Sequence, residues 1–182
     1  MQSMQTPETT AESGAPALRN ADAIDSLEAL FFSEVQELRS AELQLAAELA
    51  GLPQLQWGTP LLNLLRGYPI ELNSRREDLE RMLGEAGIDP RQHTDQAMRS
   101  LIAELLKMSQ LRNPRIRDAA FIDSLQRIVH VKIAAYGSVA TFAKVLNRTD
   151  DAARLAEYGD REKEFDAELT TVAASVINSQ AH

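Results

Sequence analysis

The chain has 182 residues, no cysteine, 44% hydrophobic and 25% charged residues, and a formal net charge of −8. The lack of cysteine rules out a disulfide framework, a thiolate zinc or iron–sulfur site and a thiol nucleophile, and the acidic balance argues against a nucleic-acid backbone as the main partner. One domain of this length can bury a core unaided; little β-rich sequence remains beside the helical patterns, so an all-α fold is expected, in a reducing cytoplasm.

Residues 1–21 lack both the basic and the apolar segment of a secretory signal. Their Thr, Ser, Pro, Glu and Ala content predicts a disordered N-terminal tail, with a docking segment for a protein partner as the sharper reading. No run of 18 or more apolar residues is present, so no membrane span is expected. Residues 22–178 are expected to form one helical bundle and 179–182 a short C-terminal tail.

The first helix is expected from Asp22 or Asp25 to Ala50, with Leu27, Leu30, Phe31, Leu38, Ala41, Leu45 and Leu49 on one face. Asp25 or Ser26 caps its start, and Gly51 with Pro53 stops it. Glu34 and Glu42 fall on or beside the apolar stripe, unlike most charges of this helix. A second helix opens at Thr59-Pro60 and ends near Gly84 to Gly87. Pro69 in its middle predicts a kink or break, because it removes one backbone hydrogen bond. The run Arg75, Arg76, Glu77, Asp78, Glu80, Arg81 reads as a solvated face.

A short helix is expected from Thr94 to Met108, with Met98, Leu101, Ile102 and Leu105 on one side. A third long helix runs from Ile116 to Leu146, and its small residues Ala134, Ala135, Gly137, Ser138 and Ala140 suggest a close helix neighbour. Asn147 reads as its C-cap, and a last helix follows from Ala152 to Ile177. Four long helices with a short one in the long connection predict a four-helix bundle with a crossover.

Several segments carry a family likeness. Arg117-Asp118-Ala119-Ala120 and Ile133-Ala134-Ala135-Tyr136-Gly137-Ser138 resemble the third bundle helix of the YciF/YciE-type ferritin-like stress proteins, roughly RDAALI…KVEHYEIAAYGT. Ser40-Ala41-Glu42 is similar to that family's DAEKQL element, and Ala97-Met98 with Leu101-Ile102 to its AMEGLI. Asp151-Ala152-Ala153, Arg161-Glu162-Lys163, Asp166 and Leu169-Thr170 follow its final helix. The resemblance covers residues 25–178 and implies a ferritin-like bundle in a stress-associated bacterial setting.

Such bundles hold two metals, iron or manganese, with one Glu from each of two helices and a Glu-x-x-His-type pair from each of the other two. Carried over position by position, the resemblance implies ligands at Glu42 and Glu162, whereas Ile70 and Asn73 stand at the helix-two pair and Val129 and Lys132 at the helix-three pair. A one-residue shift offers Glu71, with Ser74 as its partner position. No metal or other cofactor is therefore expected. Two stranded interior carboxylates are costly, and an ion pair of Lys132 with Glu42, Glu162 or both is expected to neutralise them. If a site persists, its candidates are Glu42, Glu162, His130 and Glu71, with Glu34 in an altered register. His130 is otherwise expected to support or pack, and Tyr136 to be a core aromatic whose hydroxyl meets a buried acceptor.

The leading expectation is a non-catalytic bundle acting through oligomerisation or a partner, a homodimer by default. The opposing expectation is a divergent metal-binding oxidoreductase or metal store with iron or manganese. A third is a scaffold or cargo protein addressed by its tail.

Overall fold

The computed structural model describes residues 24–52 and 56–178. The expected tails at 1–21 and 179–182 lie outside the described residues. Among those described, the secondary structure is helical throughout, in five α-helices and a 3-10 turn.

Helix α1, Leu27–Gly51, starts at Ser26, whose side chain accepts a hydrogen bond from the Ala29 amide. Helix α2, Thr59–Glu85, begins one residue after Gly58 with Pro60 in its first turn. It continues unbroken through Pro69, so of the expected kink or break, the break does not occur. The Leu65–Leu79 stretch is anchored by buried side chains on both sides of the proline, and this packing outweighs the single lost hydrogen bond. Just past its end, Gly87 takes a φ of 72°, the left-handed conformation that closes the last turn. There the Ile88 amide reaches the Leu83 carbonyl at 2.9 Å.

A 3-10 turn at Pro90–Gln92 leads to α3, Gln96–Ser109, capped by Asp95. Helix α4, Pro114–Val145, is capped by Asn113, with Pro114 as its first residue. Asn147 takes φ 58° just beyond its end, and the Arg148 amide bonds the Ala143 carbonyl at 2.9 Å. Helix α5 spans Thr149–Asn178.

Side-chain pairs set the directions. Arg39 meets Glu80 at 2.6 Å, whereas Leu49 lines a groove with Leu62 and Leu65, so α1 and α2 are antiparallel. Gln126 reaches Asp166 at 2.9 Å and Tyr136 packs on Tyr158, so α4 and α5 are antiparallel. Tyr68 meets Glu162 and Asp78 meets Arg154, so α2 also opposes α5 and therefore runs parallel to α4. Two parallel helices that follow one another in the bundle need a long connection, and α3 fills it, packing on α4 and α1.

The connection is pinned by Ser40, whose Oγ accepts from the Asp95 amide at 2.9 Å, and by Gln44, which donates to the Asp95 carbonyl at 3.0 Å. The α1–α2 turn is held on α4. Asp118 accepts from the Gly58 amide at 2.9 Å, and Arg117 donates to the Gln56 carbonyl while its guanidinium lies 5.3 Å over the Trp57 ring. The segments Ser40-Ala41-Glu42 and Arg117-Asp118 thus carry connections as well as helix faces.

Helix α4 qualifies the membrane expectation: it is 32 residues long, and an 18-residue stretch of it reaches a mean hydropathy of 1.2, enough by length and composition for a span. In the bundle this helix packs on α1, α3 and α5, and burial against several neighbours requires such composition. The small residues of α4 behave differently from expectation. Ala134, Gly137 and Ser138 are exposed, and the close approach involves Gly159 of α5, where a Cβ would stand 3.4 Å from the Tyr136 Cβ.

Candidate functional site

The buried apolar side chains fall into two clusters. One gathers Leu45, Leu65, Leu72, Phe121, Val129 and Phe165; the other gathers Phe31, Val35, Leu79, Tyr136, Val139 and Leu155. On each long helix one buried charged residue stands between these clusters: Glu42 on α1, Arg75 on α2, Lys132 on α4 and Glu162 on α5. They meet in a polar layer across the middle of the bundle.

Lys132 is the centre of that layer and only 1% exposed. Its Nζ donates to Glu42 Oε2, Glu162 Oε1 and Tyr68 Oη, each at 3.0 Å. An ammonium has three N–H groups, and all three are used. Tyr68 Oη in turn donates to Glu162 Oε2 at 2.7 Å, and Tyr136 Oη donates to Glu42 Oε1. Arg75 pairs with Glu162 Oε1 and donates to Glu71 Oε2 at 3.1 Å. Every carboxylate oxygen of Glu42 and Glu162 therefore has a donor. Two carboxylates face two cations, so the layer is neutral when all four are charged.

The two carboxylates differ in how firmly they hold charge. Burial pushes the Glu42 carboxyl up, against the pull of Lys132, and repulsion from Glu162 adds to the rise. Burial acts on Glu162 as well, but Lys132 and Arg75 together, with the Tyr68 hydrogen bond, hold it below the ordinary glutamate value. The asymmetry has a simple cause: Glu162 touches two cations and Glu42 one. Glu42 thus lies above and Glu162 below the ordinary glutamate value. Burial, reinforced by the neighbouring carboxylates, pushes the Tyr68 and Tyr136 hydroxyls well above the ordinary phenol value, so both remain neutral donors.

Other residues singled out in the sequence lie elsewhere. Ile70 is 72% exposed, and Asn73 is exposed and bonds back to the Pro69 carbonyl. The inward pair at that spacing on α2 is Leu72 and Arg75. Arg75 is accordingly removed from the solvated face on which its neighbours lie. His130 projects outward, its side chain 65% exposed and 3.1 Å from Asp166. Glu71 lies at the rim beside Arg75 and Arg161. Glu34 is half-buried, and burial followed by repulsion from Glu37 and Asp95 pushes its carboxyl up. The candidate set Glu42, Glu162, His130 and Glu71 is not assembled, because His130 and Glu71 leave their helices away from the interior.

The donor chemistry does not fit a metal pair. Nearest to Glu42 and Glu162 stand an ammonium, a guanidinium and two phenols, and the first two are never ligands when charged. Among the described residues no three His, Asp or Glu side chains converge. Two surface grooves, of about 600 Å³ beside Phe32 and Arg148 and about 300 Å³ beside Trp57 and Ile70, do not include Glu42, Lys132 or Glu162 among their lining residues.

Two members of the layer, Tyr68 and Arg75, escape a reading based on residue type. The signal was spacing: Leu61, Leu65, Tyr68, Leu72, Arg75 and Leu79 follow three- and four-residue steps, which place Arg75 on the apolar stripe.

The DUF892 domain, a domain of unknown function, matches residues 26–182. The chain belongs to the DUF892 family. Within it, this member is of the YciF type. It is 28% identical to Protein YciF of Escherichia coli strain K12 over 158 residues, covering 86% of this chain and 95% of that one. The crystal structure of the E. coli stress protein YciF superposes with a TM-score of 0.79 at 28% identity, covering 85% of this DUF892 chain and 99% of the other. YcfI from Rhodopseudomonas palustris gives a TM-score of 0.74 at 24% identity, over 81% and 95% of the two chains; at that identity the likeness concerns the fold.

Proposed function

We propose that this DUF892 protein is a non-catalytic, stress-associated bundle of ferritin-like type that acts through association, as a cytoplasmic homodimer or by holding a protein partner. The observation that carries the reading is the occupied interior. Where a catalytic bundle would present open ligands to a substrate, Glu42 and Glu162 spend their lone pairs on Lys132, Arg75, Tyr68 and Tyr136. A closed network of this kind rigidifies a fold and offers no reacting atom to a small molecule. The stress association rests on the likeness to E. coli YciF.

Sedimentation velocity across a concentration series tests the association, with a species of twice the 20.1 kDa chain mass expected. Crosslinking in stressed cells with full-length chain and with a variant lacking residues 1–21 tests the partner. A monomer at every concentration that also crosslinks to nothing overturns the proposal.

A further inference from the structure

The YciF-type resemblance implies two metal cations between the carboxylates of the bundle interior, and the residues found there do not accept them. We infer that the Lys132 ammonium and the Arg75 guanidinium stand in for those cations, so that the polar layer is held together by charges built into the chain and is independent of metal.

The geometry argues for replacement and not mere loss. A bundle that had only shed ligands would keep Glu42 and Glu162 as buried, uncompensated carboxylates, at a large cost in solvation. Here the compensation is complete in charge and in hydrogen bonds. Lys132 Nζ lies 3.0 Å from an oxygen of each carboxylate, one on α1 and one on α5, the bridging position for a cation between those helices. The second cation comes from α2, where Arg75 meets the Glu162 oxygen that Lys132 also meets. The inward pairs that would supply further ligands are Leu72 with Arg75 and Val129 with Lys132. Each pair contributes one apolar residue and one cation. The two helices that would add donors in a metal bundle each add a positive charge instead.

The inference rests on the non-catalytic reading, yet the two fail separately: a monomeric chain without a partner would defeat association and leave metal independence standing.

The test uses the full chain and three measurements. Purified protein, expressed with iron and manganese supplied and then dialysed, is expected to hold far less than one metal per chain, and its Tm is expected not to move with EDTA or with added Mn(II). The variant Lys132→Glu puts a third carboxylate where the ammonium stood. It is expected to lose roughly 10 °C or more in Tm and to regain a large part of that loss with millimolar Mn(II), because a ligand that binds only the folded chain stabilises it. The variant Lys132→Met is expected to lose stability and to regain none with Mn(II). Near-stoichiometric metal resisting dialysis in the wild-type chain overturns the inference. So does a Lys132→Glu variant that Mn(II) leaves unfolded or unstabilised, or a Lys132→Met variant as stable as wild type.

Discussion

Arg75 of α2 and Glu162 of α5 form an ion pair from which solvent is almost wholly excluded, 87 residues apart in sequence. Arg76, the next residue, turns the other way and pairs with Glu80 at 2.8 Å on the bundle's flank. The two arginines test burial against residue type. Breaking a buried pair leaves an uncompensated charge, so Arg75→Ala is expected to cost about 3–5 kcal/mol. Arg76→Ala is expected to cost about 1 kcal/mol or less, as partly solvated pairs do. Urea denaturation of both variants measures the difference, and equal losses would contradict the placement of Arg75.

Tyr68 joins the layer through a single oxygen that accepts from Lys132 and donates to Glu162. Tyr68→Phe keeps the ring stacked on Phe165, at a centroid distance of 3.7 Å, and deletes only that oxygen. The expected loss is about 1–3 kcal/mol, since two buried polar groups each lose a partner. A double-mutant cycle of Tyr68→Phe with Lys132→Met is expected to show coupling above about 0.5 kcal/mol. Strict additivity would mean that the hydroxyl and the ammonium do not interact.

Acid stability follows from the unlike carboxylates. Glu162 is held below the ordinary value of 4.5 in the folded chain. The unfolded chain therefore takes its proton first as pH falls past 4.5, and the stability Glu162 contributes is lost there. Glu42 lies above 4.5 when folded. Between its raised value and 4.5 the folded chain takes the proton first, so that step adds stability as pH falls from neutrality. Denaturation midpoints are expected to hold level or rise slightly as pH falls toward 4.5 and to drop below it. Glu42→Gln is expected to remove the gain, and Glu162→Gln to flatten part of the drop while costing about 3 kcal/mol or more near neutrality. A wild-type profile that falls steadily from pH 7 would refute the assignment of the raised value to Glu42.

The helix ends offer a backbone test. Gly87 and Asn147 both occupy the left-handed region, at φ 72° and 58°. Gly87→Ala is expected to cost about 1 kcal/mol, because a Cβ is unfavourable in that conformation although no neighbour lies within 4 Å of it. Asn147→Gly is expected to be neutral or stabilising by a few tenths of a kcal/mol. Thermal unfolding is expected to show a loss for Gly87→Ala and none for Asn147→Gly; a loss in both would point to side-chain contacts at Asn147.

His130 tests the outer surface. Its imidazole is largely in water beside Asp166, so His130→Ala is expected to change stability by about 0.5 kcal/mol or less. A large loss, or a change in metal content, would place His130 in the interior.

The helices and their order are legible in the sequence because apolar spacing and capping residues act locally. Leu27 to Leu49 mark α1, Thr59-Pro60 opens α2, Asn147 closes α4, and a short helix in the long connection implies a crossover. Glu42 is also visible, as a charge beside a stripe that is otherwise apolar, whereas Glu162 and Lys132 are reached through the family resemblance. The pairing of Lys132 with Glu42 and Glu162 is expected from the resemblance and found; the geometry that allows it is a different kind of fact. The 3.0 Å contacts of Lys132 join residues 90 and 30 positions away, and their existence depends on how four helices rotate and slide against one another. The family pattern put Ile70 and Asn73 at the inward positions of α2, and the charge run put Arg75 outside; packing of Tyr68, Leu72 and Leu79 rotates the helix to the opposite result. The sequence by itself determined an all-α bundle and the charges its interior must accommodate. Only the tertiary structure decided that Arg75 and Tyr68 complete the set, because a charge is stable in a low-dielectric core only where distant helices bring it a partner.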